Sequence, residues 1–240
     1  MNCFDKKRKY FMSSKKTEEY IKDGLQLWID GINNTRTGHQ EAKLYTLYDL
    51  SGNNYDFGLL NGTPVTPEEK CVPFNGDAVY RCTNTVLQEL LLNLKERTIE
   101  IVCSISDINT DAKTIFLGGK SGALNNGVGM WYSHTRGGMA ISGNSNCFTI
   151  KDVTNPHTYC VIYNTTSINS SQFYQDNVVC TKTTGGTMAS SDVLVGGRNY
   201  NGTSSYRFFG KIYCIRVYDR QLTAAEIVHN RNVDKERFGI

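Results

Sequence analysis

Hydrophobic and polar residues alternate along most of the chain beyond residue 24, which is the period of strands with one buried face. Residues 25–30 show it first, and residues 98–106 place Ile99, Ile101, Cys103 and Ile105 on one face. The remaining strand candidates are residues 45–50, 55–60, 114–117, 129–133, 139–142, 157–163, 172–174, 178–181, 192–195 and 210–218.

Turn-forming residues separate these candidates every 8–15 residues, and no helices alternate with them, so the pattern predicts an antiparallel β-sandwich. Helical patterns are confined to three places. Residues 17–23 predict one or two turns, and residues 85–95 begin with the capping-box pair Thr85 and Gln88. A C-terminal helix is predicted with Thr223 as N-cap, Glu226 at N3, and Leu222 and Ile227 as a hydrophobic staple.

The last fifty residues carry a more specific signal. A predicted strand at residues 192–197 ends in Gly-Gly, and a second at residues 208–218 ends in Arg-Val-Tyr. Residues 219–227 then contain Leu-Thr-x-x-Glu-Ile at the start of a predicted helix. With residues 23–30 and 48–53, this resembles laminin-G-like domains of the concanavalin A-like lectin/glucanase superfamily. In place of the aromatic-x-Asn-Gly hairpin usual in that family, the chain has Gln-Asp-Asn near residue 176.

The resemblance implies an all-β, two-sheet antiparallel jelly roll over residues 23–240, with a short C-terminal helix on its edge and a basic N-terminal arm over residues 1–22. Free-standing domains of this type resemble bacterial and phage structural proteins. The fold hosts many functions, so the function must be argued from a site.

Composition and charge limit the partners. The chain is 39% hydrophobic and 20% charged, which suits a packed globule. The net charge of +3 lies within residues 1–24, and the remainder carries 19 basic and 19 acidic residues, which argues against nucleic acid as a partner. No run of 18 apolar residues predicts membrane insertion, and no signal peptide is evident, so synthesis in the cytoplasm and a place in a virion or on an extracellular surface are expected.

The eight cysteines contain no C-x-x-C pair. Cys103, Cys160 and Cys214 lie within β-branched or aromatic runs, which favours reduced core thiols, with a disulfide framework as the alternative.

Hydrolases of this superfamily resemble one another in a strand that carries Glu-x-Asp-x-Glu or Glu-x-Asp-x-x-Glu. Here Glu100 lies in the comparable strand, but Val102 and Ser104 occupy the positions two and four residues later. A glycosidase needs two suitably spaced carboxyl groups. The sequence therefore ranks a non-enzyme above a glycoside hydrolase, and Glu100 is expected at a sheet edge or facing solvent.

Two oxygen-rich loops are possible calcium sites, since several relatives bind calcium in this way. One loop spans residues 49–56. The other carries Asp107, Asn109 and Asp111, although Gly and Glu are missing where an EF-hand loop has them. The alternative, which we favour, is that these side chains cap their own backbone turns. Apart from possible calcium, no cofactor or metal is expected.

Candidate sugar-binding residues lie near loop ends, where aromatic rings are flanked by polar side chains. One group is Trp131, Tyr132, His134 and Arg136, and a second is Arg198 and Tyr200. The alternative for Trp131 is a core position in a strand.

The sequence thus favours a non-catalytic binding or adhesion module for a cell-surface glycan or protein, as part of a virion or surface assembly. The alternative is a phage structural protein (head fibre, decoration or tail) that acts in assembly, with virion or homo-oligomeric contacts through the arm.

Overall fold

The described part of the chain folds into two stacked antiparallel sheets, a two-stranded hairpin and two helices. The computed structural model describes residues 19–33, 42–92, 96–110, 113–119, 128–141, 146–163, 171–184, 192–200 and 203–240. All strand pairings within these ranges are antiparallel.

The first sheet has seven strands. From one edge to the other, six of them are β1 (Leu25–Asp30), β18 (Phe209–Tyr218), β6 (Arg97–Ile105), β11 (His157–Tyr163), β12 (Gln172–Gln175) and β13 (Val178–Val179). The seventh, β4 (Val72–Asn75), pairs with the part of β18 that β1 does not reach. Pro73 therefore lies on an edge strand, where its missing N–H is tolerated.

The second sheet has nine strands. In spatial order they are β14 (Lys182–Thr184), β10 (Asn146–Thr149), β9 (Gly138–Ile141), β8 (Gly129–Ser133), β7 (Lys113–Leu117), β15 (Val193–Val195), β5 (Val79–Cys82), β3 (Phe57–Asn61) and β2 (Thr46–Leu47). The separate hairpin pairs β16 (Arg198–Tyr200) with β17 (Thr203–Ser205). The helices are α1 (Thr85–Leu90) and α2 (Ala224–Phe238).

The main core lies between the two sheets, as the alternating pattern predicts. Leu27 and Ile29 of β1 enter it, and β6 contributes Ile99, Ile101, Cys103 and Ile105. The second sheet contributes aromatic and aliphatic residues such as Phe116 and Phe148. The predicted all-β, two-sheet antiparallel sandwich with a C-terminal helix is confirmed.

Helix α2 covers the outer face of the first sheet. Thr223 accepts a hydrogen bond from the Glu226 N–H, and the Glu226 carboxylate accepts one from the Thr223 N–H, so the predicted capping box is present. Leu222 and Ile227 are buried together against Leu25. The helix start predicted from sequence is therefore correct.

The other two helical predictions need correction. The N-cap of helix α1 lies one residue earlier than predicted. Asn84, not Thr85, occupies it, and its side chain accepts from the N–H groups of Val86 and Leu87. The helix ends at Leu90. Residues 19–22 are not helical, and Thr17 lies outside the described residues.

None of the seven described cysteines forms a disulfide, and all but Cys180 are buried, which fits the predicted core positions. Cys3 lies outside the described residues, as does most of the predicted basic arm. No helix in the described ranges is long and apolar enough to cross a membrane.

Candidate functional site

One end of the sandwich gathers the features of a ligand site. Here four strands (β6, β8, β10 and β12) reach their C-terminal ends, and the segments that follow them lie side by side. The N–H of Ile105 donates to the carbonyl of Val153 (2.7 Å), and that of Thr149 donates to the carbonyl of Thr181 (3.0 Å), which continues the pairing of β10 with β14. We call this the loop end.

The first concavity at the loop end is a hollow of about 350 Å³, here called the Tyr132 hollow. Asp152 and Thr154 supply polar groups to its lining. The full lining is Ile108, Tyr132, Gly137, Ile150, Asp152, Val153 and Thr154. A mainly apolar wall with a few polar groups is typical of ligand pockets.

The second concavity is a groove of about 440 Å³, here called the Val178 groove. Val178 and Val179 of the edge strand β13 are 66% and 63% exposed, which is unusual for large aliphatic side chains. Polar groups enter from Lys151, His157 and Gln175. The full lining is Thr149, Lys151, His157, Gln175, Asp176, Val178, Val179, Cys180 and Thr181.

Residues 149–154, here called the ridge, separate the two concavities. Thr149 and Lys151 line the groove, whereas Ile150 and Asp152 line the hollow. The buried amide of Gln175 holds the ridge in place: Oε1 accepts from the Lys151 N–H (2.9 Å), and Nε2 donates to the carbonyls of Lys151 (2.6 Å) and Asp152 (3.0 Å).

His157 lies between two carboxylates at the floor of the groove. Its Nδ1 donates to Oδ2 of Asp176 (2.5 Å), and its Nε2 is 3.9 Å from Oδ2 of Asp152. The backbone N–H of Thr158 also donates to Asp176, and Nε of Arg231 from α2 lies 2.9 Å from its other oxygen. The hairpin turn at residues 176 and 177 has positive φ at both positions, as a type I′ turn requires.

The carboxyl groups of Asp152 and Asp176, which line the two concavities, are held in the ionised form. Burial raises the pKa of Asp176, but the hydrogen bonds from His157 and Thr158 and the charge of Arg231 outweigh it, so the pKa lies below its ordinary value. Hydrogen bonds from Asn155 and Thr154 hold the pKa of Asp152 well below its ordinary value.

The predicted position of Glu100, at a sheet edge or facing solvent, is wrong. Strand β6 lies in the middle of the first sheet and α2 covers the outer face of that sheet, so Glu100 is fully buried. Its carboxylate accepts from Nε of Arg216 (2.9 Å) and Nδ2 of Asn230 (2.8 Å). Burial raises its pKa against the lowering effect of Arg216.

A glycosidic general acid needs a carboxyl group that is both accessible and kept protonated by a raised pKa. Glu100 has the raised pKa but is inaccessible, whereas Asp152 and Asp176 are at the open site but ionised. The described residues of the loop end therefore include no carboxyl group that is both accessible and kept protonated.

Of the predicted sugar-binding residues, Tyr132 lines its hollow, although it is only 7% exposed. His134 and Arg136 are exposed on the turn that leads to Gly137, but neither lines the hollow. Arg136 Nη1 donates to Oγ of Ser133 (3.4 Å).

The remaining predicted residues lie elsewhere. Trp131 is 3% exposed and packs with Leu117, Ala140 and Cys147, so the core alternative describes its position, and its ring offers no open face for a sugar. Arg198 is half-buried, with its guanidinium 5.3 Å from the Tyr206 ring centroid. The side chain of Tyr200 lies outside the described part of the structure. Binding roles for these residues stay predictions.

Sequence reasoning missed the groove residues His157, Gln175 and Val178. One signal was available: a two-residue turn followed by two adjacent valines, of which one must face outward if the segment is a strand. The convergence of these residues with Lys151 is a matter of long-range packing, which no local pattern shows.

The predicted calcium ligand Asp107 already accepts hydrogen bonds from residues within its own segment. Asp107 accepts from Lys113 Nζ (2.7 Å), Thr110 Oγ1 (2.8 Å) and the Asn109 N–H (3.1 Å), and the first two of these lower its pKa to about 2. Asp111 lies outside the described residues. Within the described ranges, no three His, Cys, Asp or Glu side chains are grouped to hold a metal. Calcium binding stays a prediction.

The loop at residues 49–56 uses its oxygens internally. Asp49 accepts from the N–H groups of Trp28, Ser51 and Tyr55, and its own N–H donates to Asp56. The carboxylate therefore caps backbone turns, as the alternative to calcium binding proposed.

The chain matches no known protein family and no curated protein. Similar solved structures include a Trypanosoma rangeli sialidase in complex with 2,3-difluorosialic acid (12% identity, TM-score 0.60), which the chain matches over 89% of its own length and 33% of the sialidase. They also include a structure of botulinum neurotoxin type C (12% identity, TM-score 0.57), which the chain matches over 88% of its own length and 51% of the toxin chain. A third is the binding domain of botulinum neurotoxin serotype D/C (12% identity, TM-score 0.56), matched over 88% of this chain and 52% of that one.

The chain thus spans a third to a half of these proteins and shares the fold of the matched part. The class defined by the fold is a two-sheet antiparallel jelly-roll β-sandwich, here with a two-part concavity at one end.

Proposed function

We propose that this chain is a non-catalytic carbohydrate-binding module whose ligand site is the loop end. The observation that carries the proposal is the pair of adjoining concavities, each with an apolar wall and a few fixed polar groups. Sugars present C–H faces and hydroxyl groups, and sites of this composition complement both.

The fold comparison supports the choice of ligand. The neurotoxin type C structure concerns the dependence of that toxin on two ganglioside molecules for entering cells. A glycan as ligand is therefore compatible with this architecture, although identity near 12% transfers no residue role.

Hydrolysis is the second candidate, because the chain has the fold of one third of a sialidase. The protonation states argue against it, since Asp152 and Asp176 are held ionised and Glu100 is enclosed beneath α2. A place in a virion or surface assembly is part of this proposal, and its alternative is a phage structural protein that acts in assembly through residues 1–22.

A glycan array followed by calorimetry tests the proposal. We expect saturable binding that Lys151→Ala weakens, since Lys151 lines the groove and is exposed, while Lys235→Ala, an exposed lysine on α2, leaves binding unchanged. No binding at any glycan density would overturn the function. Equal binding by both variants would argue against the site, and release of sugar from the bound glycan would contradict the non-catalytic part.

A further inference from the structure

We infer that the Tyr132 hollow and the Val178 groove act as two subsites of one ligand site, so that the chain recognises a glycan of at least two sugar residues. The inference rests on the proposed function and specifies its ligand class. Its basis is the way the two concavities share a wall.

The wall between the concavities is one chain segment thick. Beyond Thr149, the last residue of β10, the chain bends at Lys151 and has a positive φ at Asp152. Thr149 and Lys151 line the groove, whereas Ile150 and Asp152 line the hollow. A ligand that fills both must cross this ridge, and a single sugar can occupy only one side at a time.

The ridge is fixed before a ligand arrives. Gln175 makes three hydrogen bonds to the backbone of the ridge. The Asp152 carboxylate stabilises the same segment, because Oδ1 accepts from the Thr154 N–H and Oδ2 accepts from Asn155 Nδ2. The Ile105 N–H holds its far end at Val153. A preorganised ridge spares the entropic cost of ordering a loop on binding.

The two subsites differ in chemistry. The groove offers exposed methyl groups of Val178 and Val179 beside Lys151 and the imidazole of His157. The hollow offers Ile108 and the Tyr132 ring beside an ionised carboxylate, Asp152. Each combines an apolar surface with a polar edge, so each suits one sugar, and their difference sets the order of the two sugars.

The test is calorimetry with a glycan that binds the array, compared with its component monosaccharides. We expect one disaccharide or longer glycan per chain, bound at least tenfold more tightly than either monosaccharide. Ile108→Ala in the hollow and Val179→Ala in the groove should each weaken the longer glycan about fivefold, because each removes buried apolar contact. Val86→Ala is the matched control, since Val86 is 61% exposed on α1.

Three results would overturn the inference while leaving the proposed function intact. The first is a monosaccharide that binds as tightly as the longer glycan. The second is a longer glycan whose affinity responds to only one of the two variants. The third is a longer glycan that binds with a stoichiometry of two. Thermal unfolding of each variant establishes that it is folded. A complete lack of glycan binding would instead reject the proposed function.

Discussion

Arg216 is fully buried, and the residues around it explain how a charge is tolerated beneath α2. Its guanidinium donates to both oxygens of Asp234 (2.7 and 2.9 Å) and to Glu100, and lies 4.1 Å from the Tyr20 ring centroid. Asp234 also accepts from the hydroxyls of Tyr20 and Thr158. This network joins α2, the three neighbouring strands β18, β6 and β11, and the segment before β1.

Removing Asp234 should be costly. Asp234→Ala leaves a buried guanidinium short of its main partner, and we expect a loss of about 3–5 kcal/mol in the free energy of unfolding. Urea denaturation measures it, with Asn232→Ala, an exposed position on the same helix, as control. A loss no larger than that of the control would show that the network contributes little to stability.

At the scale of elements, the start of α2 depends on the side chain of Thr223, which caps the Glu226 N–H. Thr223→Ala should lower the free energy of unfolding by about 1 kcal/mol. Thr223→Ser keeps the hydroxyl and should be nearly neutral. Equal destabilisation by both, measured by urea denaturation, would mean that the methyl group rather than the cap is responsible.

The same cap predicts a pH dependence. Hydrogen bonds from Arg220 and Thr223 lower the pKa of Glu226 from 4.5 to about 2. Because the folded-state pKa lies below the unfolded one, the ionised carboxylate stabilises the fold fully above about pH 5 and progressively less as the pH falls towards 2. The stability difference between wild type and Glu226→Gln should therefore shrink over that window, and a constant difference would contradict this assignment.

At the scale of the whole molecule, the two sheets are joined at the loop end by stacked rings. Phe173 of the first sheet and Phe148 of the second lie with centroids 5.0 Å apart and planes 15° apart, and both are buried. Phe173 belongs to β12, whose Gln175 lines the groove, and Phe148 directly precedes Thr149, another groove residue, so the packing of the sheets supports the proposed site.

Truncating this contact tests whether the sandwich unfolds as a unit. Phe173→Ala should cost about 3–5 kcal/mol through lost burial and a residual cavity. Tyr45→Ala, at a 63% exposed position, is the control. Tryptophan fluorescence and circular dichroism should report one coincident transition for the variant, whereas separate transitions would show that the sheets unfold independently.

The sequence by itself determined the elements whose signals are local. The bounds of β1, β8 and β11, the inner face of β6 and the capping box of α2 follow from alternation and from contacts within a few residues. The sandwich class follows from the same alternation, because strands with one apolar face must bury it against another layer.

Tertiary structure alone decided the environment of each chemical group. From sequence, Glu100 is expected at an edge or facing solvent, but α2 covers it. For Trp131 the sequence leaves a sugar-binding and a core position open, and the packing of neighbouring strands of the second sheet decides for the core. The groove joins Lys151, His157 and Val178, whose side chains meet because two sheets converge at one end. Such encounters depend on strand order and long-range packing, which a one-dimensional pattern does not encode.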